Sequence, residues 1–182
     1  MFNVLYTIWI GRHLGRIGEK SCFAYPCRLQ GGGQQKIYIG GNTSFSAFCI
    51  LGCWEYYGQN EHYSPKILIG NDCHFGEYCH ISTINQITID DGLLTGRFVY
   101  IGDNAHGSLS LEESELPPAQ RPLTSKGGIS IGRNVWIGDK VSILGGVTIG
   151  NNVIIGAGSI VTHDIPSNSL AAGIPAKIIK QL

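Results

Sequence analysis

The chain has 182 residues, of which 26 are glycine, and the 13 Lys and Arg residues balance the 13 Asp and Glu residues. A net charge near zero argues against a nucleic-acid-binding surface as the main function. No apolar run is long enough to cross a bilayer, and the length suits a single domain over residues 1–182 with a core of its own.

Residues 1–16 begin with an apolar stretch over residues 1–10. This stretch lacks the basic segment and the small-residue cleavage site that are typical of a signal peptide. We expect residues 1–16 to form a cap, as a short helix or strand at the start of the domain. A peripheral membrane contact, with Arg12 and Arg16 facing lipid head groups, stays open as the alternative.

Residues 17–52 contain weak copies of a repeat that becomes regular later in the chain, with breaks at residues 31–33 and after Gly52. The second break, residues 53–65, is rich in aromatic side chains and includes Trp54 and Tyr56. Such a cluster could form a stacking wall for a sugar, or it could pack over the edge of the domain or against another subunit.

Four of the six cysteines occupy equivalent places in these repeats, four residues after an aliphatic or aromatic position. They are Cys27, Cys49, Cys73 and Cys79. A buried free cysteine behaves as a small hydrophobic residue, and the chain contains no C-x-x-C pair that would suggest zinc. We therefore predict buried free thiols and a reducing, cytoplasmic environment.

The repeat is most regular over residues 129–166, where an aliphatic residue opens every unit of six and a small or aliphatic residue takes its fifth place. The first places are Ile131, Ile137, Ile143, Ile149, Ile155 and Val161, and the fifth places are Val135, Val141, Val147, Val153, Ser159 and Ile165. A short strand followed by a tight turn explains a period of six. Three units then make a triangular coil of about 18 residues, and coils stack about 4.8 Å apart through strand hydrogen bonds.

The repeat is intact on both sides of residues 107–128, so we predict that this segment is a loop inserted at a corner of the coil. The coil itself is expected over residues 17–166. Residues 167–182 are predicted to form a turn and a short helix that begins near Pro175 and closes the end of the coil.

The segment Asp103-Asn104-Ala105-His106-Gly107 lies where this loop leaves the coil. Ala105 takes the inward fifth place of its unit, so His106 is expected to point outward at the root of the loop. An imidazole exchanges a proton near neutral pH and can therefore act as a general base. Exposed histidines are also common on surfaces that have no function.

The repeats resemble those of the hexapeptide-repeat acyltransferase superfamily, and the segment around His106 resembles the Asp-Asn-x-His-Gly motif of bacterial glycan O-acetyltransferases. The resemblance implies an all-β, left-handed parallel β-helix, a hand opposite to that of the usual crossover. It implies transfer of an acetyl group from acetyl-CoA to a sugar hydroxyl in surface-polysaccharide biosynthesis, with His106 as the general base and no metal. It also implies a homotrimer with active sites between the subunits.

The same resemblance assigns further residues to the site. The backbone N–H of Asp139 is expected to stabilise the oxyanion. The expected cofactor-binding residues are Trp136, Gly138, Ala157, Thr162, Lys177, Lys180 and, at the return of the loop, Lys126. Asn85 resembles an acceptor-binding asparagine, and Trp54 and Tyr56 are candidates for the same role. The two C-terminal lysines could instead be solvated charges, and the acid that orients His106 is left open among Asp103, Glu112, Glu113 and Glu115.

Two other functions are compatible with a β-helix, because a fold alone does not decide function. A zinc lyase similar to the γ-class carbonic anhydrases would need converging histidines, but His74 and His80 are six residues apart and should face different sides. A non-catalytic β-helix that assembles complexes is the second alternative.

Overall fold

The computed structural model describes residues 2–58 and 61–182. In this part of the chain, the helices are α1 (Phe2–Gly11) and α2 (Leu111–Ser114), with 3-10 turns at Gln34–Lys36 and Pro118–Gln120. In chain order the strands are β1 (Arg16–Ile17), β2 (Cys22–Phe23), β3 (Arg28–Gln30), β4 (Ile37–Ile39), β5 (Ser44–Phe45), β6 (Ile50–Cys53), β7 (Tyr56–Tyr57), β8 (Glu61–His62), β9 (Lys66–Ile69), β10 (His74–Phe75), β11 (His80–Thr83), β12 (Gln86–Ile89), β13 (Leu94–Thr95), β14 (Tyr100–Gly102), β15 (Ala105–His106), β16 (Leu123–Thr124), β17 (Ile129–Ile131), β18 (Trp136–Ile137), β19 (Ser142–Leu144), β20 (Thr148–Ile149), β21 (Ile154–Ile155), β22 (Ile160–Val161), β23 (Ser169–Gly173) and β24 (Ala176–Gln181).

Three sheets of stacked strands form the sides of a triangular coil. Sheet I contains β1, β4, β9, β12, β17 and β20, and sheet III contains β3, β6, β11, β14, β19 and β22. Sheet II contains β2, β5, β10, β13, β18, β21 and β23, with β24 added at its edge. The stacked pairs are parallel apart from β23 with β24. We call the three connecting regions corner I–II, corner II–III and corner III–I, after the sheets that they join.

The period of six decides which side chains enter the core. All 12 residues predicted to point inward between Ile131 and Ile165 are buried. Successive coils repeat every 18 residues in this region, since Ile137 of β18 lies beside Ile155 of β21. The predicted repeat and its register are therefore confirmed.

The first coils are filled by larger side chains than the last ones. Phe23, Phe45 and Phe75 stack on the inner face of sheet II with ring centroids 4.4 and 4.5 Å apart. Further along the same column the inward residues are smaller, ending with Ala171 at the last strand of the stack. The four cysteines predicted to be inward are buried, and all six cysteines are free thiols.

The start of the chain closes one end of the coil with α1, as expected for a cap. Ile10 and Leu14 are buried in the same apolar cluster as Phe23. Across the residues that the structure describes, no helix combines the length and apolar character needed to span a membrane.

The end of the chain corrects one expectation, because residues 167–182 form a β-hairpin and not a helix. Strand β24 pairs antiparallel with β23 at the edge of sheet II. The edge of a sheet carries unpaired backbone N–H and C=O groups, which a further strand satisfies. The β-branched pair Ile178 and Ile179 also favours a strand over a helix.

Candidate active site

The long connections of the coil all leave from corner III–I. After sheet III the chain makes excursions over residues 31–36, 54–65 and 103–128, whereas the connections at residues 84–85 and 145–147 are short. The excursions therefore project from one edge of the coil at successive levels. Loops held by a rigid scaffold are where functional side chains are commonly placed, and His106 lies in the longest of the three.

His106 stands on a short antiparallel clamp at the root of its loop. Strands β15 and β16 pair Ala105 with Thr124 and His106 with Leu123. The Thr124 hydroxyl donates to the carbonyl oxygen of Gly107 at 2.9 Å and fixes the turn after the histidine. His106 is exposed as predicted, but Ala105 is exposed as well and does not enter the core, because the chain has already left the coil before β15.

A wall of aromatic rings stands next to His106. The Tyr57 ring meets the imidazole edge to face, with centroids 5.2 Å apart, and Trp54 lies 6.3 Å from Tyr57 in a similar arrangement. The Trp54 indole N–H donates to the Ser82 hydroxyl at 3.2 Å. The Tyr57 hydroxyl donates to the carbonyl oxygen of Ala119 at 3.3 Å. The excursion over residues 54–65 is thereby tied to the loop that carries the histidine.

Tyr57, and not the neighbouring candidate Tyr56, is the tyrosine whose ring contacts His106. Successive residues of a strand point to opposite faces, so β7 can turn only one of the two tyrosines toward the histidine. The Tyr56 ring instead packs against Gly32 of the preceding coil. The adjacent tyrosines in the sequence indicated that an aromatic ring lies here. Which of the two faces the histidine depends on how β7 pairs with β8.

Asp103 is buried and supports the corner above the loop. Its carboxylate accepts hydrogen bonds from the Thr83 hydroxyl at 2.6 Å and from the backbone N–H groups of Ile84 and Asn85 at 2.9 and 3.2 Å. Burial raises the pKa of this carboxyl group, and the hydrogen bonds oppose that rise. Both oxygens are thus engaged away from His106. The Asn85 side chain is exposed at the same corner and is accessible to a substrate.

One of the acidic residues of the loop, Glu113, stabilises the loop itself. Glu113 accepts hydrogen bonds from the backbone N–H and the hydroxyl of Ser108. Its own N–H donates to the Ser110 hydroxyl, which caps the start of α2. Glu112 and Glu115 are exposed. Within the described residues the ring nitrogens of His106 make no hydrogen bond, so one chain by itself assigns no carboxylate to orient the imidazole.

A cavity of about 500 Å³ lies beside the histidine clamp. Gly102, Leu144 and Gly145 form its floor on the outer face of sheet III, and Leu109 and Lys126 line it from the loop. Lys126, expected to meet a phosphate, therefore borders a space that could hold a ligand.

The remaining residues assigned to the cofactor lie on and beside sheet II, except for Thr162, which follows β22 of sheet III. Trp136 is 53% exposed and stands in a column of outward side chains between Leu94 and Ile154. Gly138 lies against the Ala157 backbone, where a Cβ atom at position 138 would come within 2.6 Å of the Ala157 nitrogen. These contacts keep the outer wall of the coil smooth beside the tryptophan. Thr162 is exposed on the next corner and shares a 2.8 Å hydrogen bond with His163.

The C-terminal hairpin brings Lys177 and Lys180 to one face in spite of their spacing. Residues three apart point to opposite faces of a regular strand. Here a bulge shifts the register, so that Lys177 pairs with Ala172 and Lys180 with Leu170, two residues apart on β23. Leu170 continues the outward column that contains Trp136 and Ile154. Both lysines therefore lie on the face of sheet II that carries the tryptophan. The predicted helix would also have placed them on one face, because residues three apart are neighbours on a helix.

The predicted oxyanion donor does not meet His106 within one chain. Asp139 lies at corner II–III, where its carboxylate accepts from the Arg97 N–H at 2.8 Å and its own N–H has no partner in the part of the chain that is described. Strand β19, of three residues, separates this corner from the loop root. At about 3.3 Å per residue, the two groups lie roughly 10 Å or more apart.

The histidines named for a zinc site lie on different sides of the coil, as predicted. His74 is in β10 of sheet II and His80 is in β11 of sheet III. Among residues 2–58 and 61–182, no group of three or more His, Cys, Asp or Glu side chains is placed to hold a metal ion.

Comparison with known proteins agrees with the repeats and the fold. Residues 128–163 match the model of the bacterial transferase hexapeptide (six repeats) family. The chain is 39% identical over 174 residues to the Escherichia coli (strain K12) protein WbbJ, which is named for O-acetyl transfer in lipopolysaccharide biosynthesis; the match covers 92% of this chain and 83% of that protein. It is 38% identical over 133 residues to the galactoside O-acetyltransferase of the same strain, covering 69% of this chain and 63% of that enzyme.

Among solved structures, the coil is similar to the hexapeptide-repeat-containing acetyltransferase VCA0836 of Vibrio cholerae O1 biovar eltor, determined with acetyl-coenzyme A. The TM-score is 0.66 at 24% identity, covering 98% of this chain and 77% of that one. The three parallel sheets are thus stacked as in a left-handed β-helix. The chain belongs to the hexapeptide-repeat family of acetyltransferases.

Proposed function

We propose that the protein transfers the acetyl group of acetyl-CoA to a hydroxyl of a sugar in bacterial surface-polysaccharide biosynthesis, with His106 as the general base. The observation that carries the proposal is the exposed imidazole on a rigid clamp, against the Tyr57 ring and beside a cavity of about 500 Å³. The relatives named for sugar O-acetylation support the choice of substrates. The free buried thiols are consistent with a reducing cytoplasm, which also supplies acetyl-CoA.

The acceptor is expected to bind at the aromatic wall of corner III–I. Trp54 and Tyr57 offer flat apolar surface for the face of a sugar ring, and the exposed Asn85 amide can donate to and accept from its hydroxyl groups. Tyr56 lies one residue away on the opposite face of β7 and would touch only a larger acceptor. Such a wall would bring one hydroxyl group toward His106.

Acetyl-CoA is expected to lie along the outer face of sheet II and the adjoining corner II–III. Trp136 would pack against the pantetheine arm, and the smooth surface at Gly138 and Ala157 leaves room for it. Thr162, at corner III–I, would meet the cofactor held by the neighbouring subunit. Lys177 and Lys180, on the same face, would meet the phosphates, since ammonium groups bind phosphate oxygens well. Lys126 is the further candidate from the loop.

The reaction needs a single proton carrier and no covalent enzyme intermediate. His106 removes the proton of the attacking hydroxyl as the sugar oxygen bonds to the thioester carbonyl carbon. The backbone N–H of Asp139 stabilises the negative charge that develops on the carbonyl oxygen. When the carbon–sulfur bond breaks, the imidazolium returns the proton to the thiolate, and the products are the acetylated sugar and free CoA.

The base and the oxyanion donor must come from two copies of the chain. One copy holds these groups roughly 10 Å or more apart across sheet III, which is too far for both to reach one thioester. We infer a homotrimer in which the loop of each subunit meets corner II–III of the next. A head-to-tail contact of this kind closes into a ring.

The test follows thiol release from acetyl-CoA with a panel of sugar acceptors, for the wild type and for His106→Ala. Loss of a general base should lower kcat about 10²–10⁴-fold, while calorimetry should show nearly unchanged affinity for CoA. His13→Ala is the matched control, because His13 is exposed at the end of the coil that α1 closes, and its ring donates to the Trp9 carbonyl oxygen at 3.0 Å.

Acceptor-dependent turnover that survives in His106→Ala would exclude this histidine as the base. A mixture of His106→Ala with a Lys177→Glu, Lys180→Glu double variant tests the shared site. If subunits exchange, mixed trimers contain some sites with native groups from both chains and activity returns. No recovery in verified mixed trimers would contradict the site between subunits.

A further inference from the structure

Helix α1 presents an apolar face to solvent. Its ten residues include no Asp, Glu, Lys or Arg. Val4 and Leu5 are 62% and 63% exposed, and Ile8 and Trp9 are 52% and 57% exposed. Four large apolar side chains next to one another at a chain's end form a patch of the kind that marks an interaction site.

The opposite face of α1 is fixed to the first coil, so the exposed face cannot turn inward. Ile10 is fully buried. The Tyr6 hydroxyl bonds to the backbone carbonyl and N–H of Cys27 at 2.5 and 2.8 Å, and the Thr7 hydroxyl accepts from the Phe23 N–H at 2.9 Å. The helix is therefore held flat across the end of the coil with its apolar side outward.

The same end of the molecule is basic, although the whole chain is neutral. Residues 1–54 contain five of the 13 Lys and Arg residues but only one of the 13 Asp and Glu residues. One of the five, Lys36, is paired with Glu55 at 2.7 Å. The other four are exposed and form no ion pair among the described residues; they are Arg12, Arg16, Lys20 and Arg28.

These four cations surround the apolar helix on the sides of the first coil. Arg12 directly follows α1, Arg16 opens sheet I, Lys20 lies at corner I–II, and Arg28 opens sheet III. Trp9 and Arg28 line one groove of about 420 Å³. An apolar surface with a rim of cations matches a bilayer surface that has anionic head groups.

Another copy of the chain fits this surface less well than a bilayer does. Subunits arranged side by side around an axis parallel to the coil would cover its flanks, whereas α1 lies across its end. Two such ends packed against each other would oppose the same four cations, and like charges brought together are unfavourable.

We propose that α1 and its basic rim, the α1 end, dock the enzyme on an anionic membrane surface. Leu5, Ile8 and Trp9 would enter the boundary between head groups and acyl chains, and the four cations would meet lipid phosphates. The inference concerns binding alone and does not depend on the acetyl transfer proposed above.

The test is flotation of the 182-residue chain with vesicles of phosphatidylcholine alone or with phosphatidylglycerol added. The protein should float with the mixed vesicles at low salt and much less with phosphatidylcholine alone. The double variant Leu5→Asp, Ile8→Asp should lower the bound fraction about tenfold or more. Ile179→Asp is the matched control, because Ile179 is 64% exposed but lies in the C-terminal hairpin.

A second arm removes charge and leaves the apolar face intact. Arg12→Gln and Arg16→Gln together should weaken binding to the mixed vesicles about 25-fold, since each cation near an anionic surface strengthens binding about fivefold. Arg133→Gln, an exposed cation far along the coil, should leave binding unchanged. Circular dichroism and CoA affinity confirm that each variant is folded.

Three results would overturn the proposal. Vesicle binding that is absent in the wild type, or that persists unchanged in the Asp double variant, excludes the α1 end as a membrane contact. A doubling of the assembly mass in solution that Leu5→Asp abolishes would assign the apolar face to a second copy.

Discussion

Corner I–II and corner III–I close the same coil but are built in opposite ways. At corner I–II, a side-chain oxygen of one coil accepts a hydrogen bond from a backbone N–H of the previous coil. The Gly41 N–H donates to Asn71 at 2.8 Å, the Asn71 N–H to Asp91 at 2.6 Å, and the Arg133 N–H to Asn151 at 2.7 Å. The next residue in each of these turns adopts positive φ, where glycine and asparagine are tolerated best. The same kind of hydrogen bond therefore recurs at several steps of the stack.

Corner III–I repeats nothing of this kind. One coil passes it in the two residues 84–85, whereas the next makes an excursion over residues 103–128. Its hydrogen bonds are made once each, as with the buried carboxylate of Asp103 or the indole of Trp54 on Ser82.

The difference shows how a repetitive scaffold carries a specific site. Strand pairing within the sheets sets the register between successive coils. An excursion between two strands can therefore have any length and sequence, provided that the chain comes back to the next position of the stack. Corner I–II adds stability in equal steps, while corner III–I places unlike side chains around His106. The largest effects of substitution are therefore expected at corner III–I.

Asp103→Ala should be the most destabilising of the three changes considered. It leaves the hydroxyl of Thr83 and two backbone N–H groups without their buried acceptor, and the free energy of unfolding should fall by about 3 kcal/mol. Urea denaturation measures the loss. Asp72→Asn is the control at corner I–II, because asparagine tolerates the positive φ of this residue. The exposed carboxylate accepts only from the Asn42 amide, and a loss of about 0.5 kcal/mol is expected. Equal losses for the two variants would contradict the contrast between the corners.

Tyr57→Ala should raise the KM for the sugar acceptor about tenfold, with little change in the KM for acetyl-CoA. Loss of one aromatic stacking surface is worth about 1.4 kcal/mol at most. Steady-state kinetics with a sugar acceptor gives both constants. Tyr56→Ala tests the neighbour whose ring packs on Gly32, and roughly a twofold change or less is expected. A larger effect at Tyr56 than at Tyr57 would reverse the assignment made from the structure.

Asn151→Ala should cost about 1 kcal/mol of stability, because it removes one partly exposed hydrogen bond to the Arg133 N–H. Thermal unfolding measures this loss, and kcat for acetyl transfer should be unchanged. Asn151→Asp keeps the accepting oxygen, as Asp91 does at the equivalent place, and should retain most of the stability. If the alanine and aspartate variants were equally destabilised, the side-chain ladder would not be the cause.

The regular part of the molecule could be predicted from the sequence because it depends on local periodicity. An aliphatic side chain every six residues, with Gly or Asn at the turns, shows which residues face the core wherever the repeat continues. The residues from Ile131 to Ile165 follow this pattern throughout. The motif around His106 and the presence of the inserted loop were also readable from the sequence, but the chain leaves the coil at residue 103 and not at residue 107. The inward placement of Ala105 was not correct, because the repeat had already ended there.

The sequence alone determined the coil, its register, the inserted loop and the histidine at its root. Only the tertiary structure decided which tyrosine meets His106, where the Asp103 carboxylate points, and how the C-terminal segment folds. These features depend on contacts between residues far apart in the chain. Tyr57 reaches the histidine through the pairing of β7 with β8, and Lys177 and Lys180 share a face because the open edge of sheet II takes up a bulged strand. No local pattern encodes such pairings, since each depends on the backbone groups that the rest of the fold leaves unpaired.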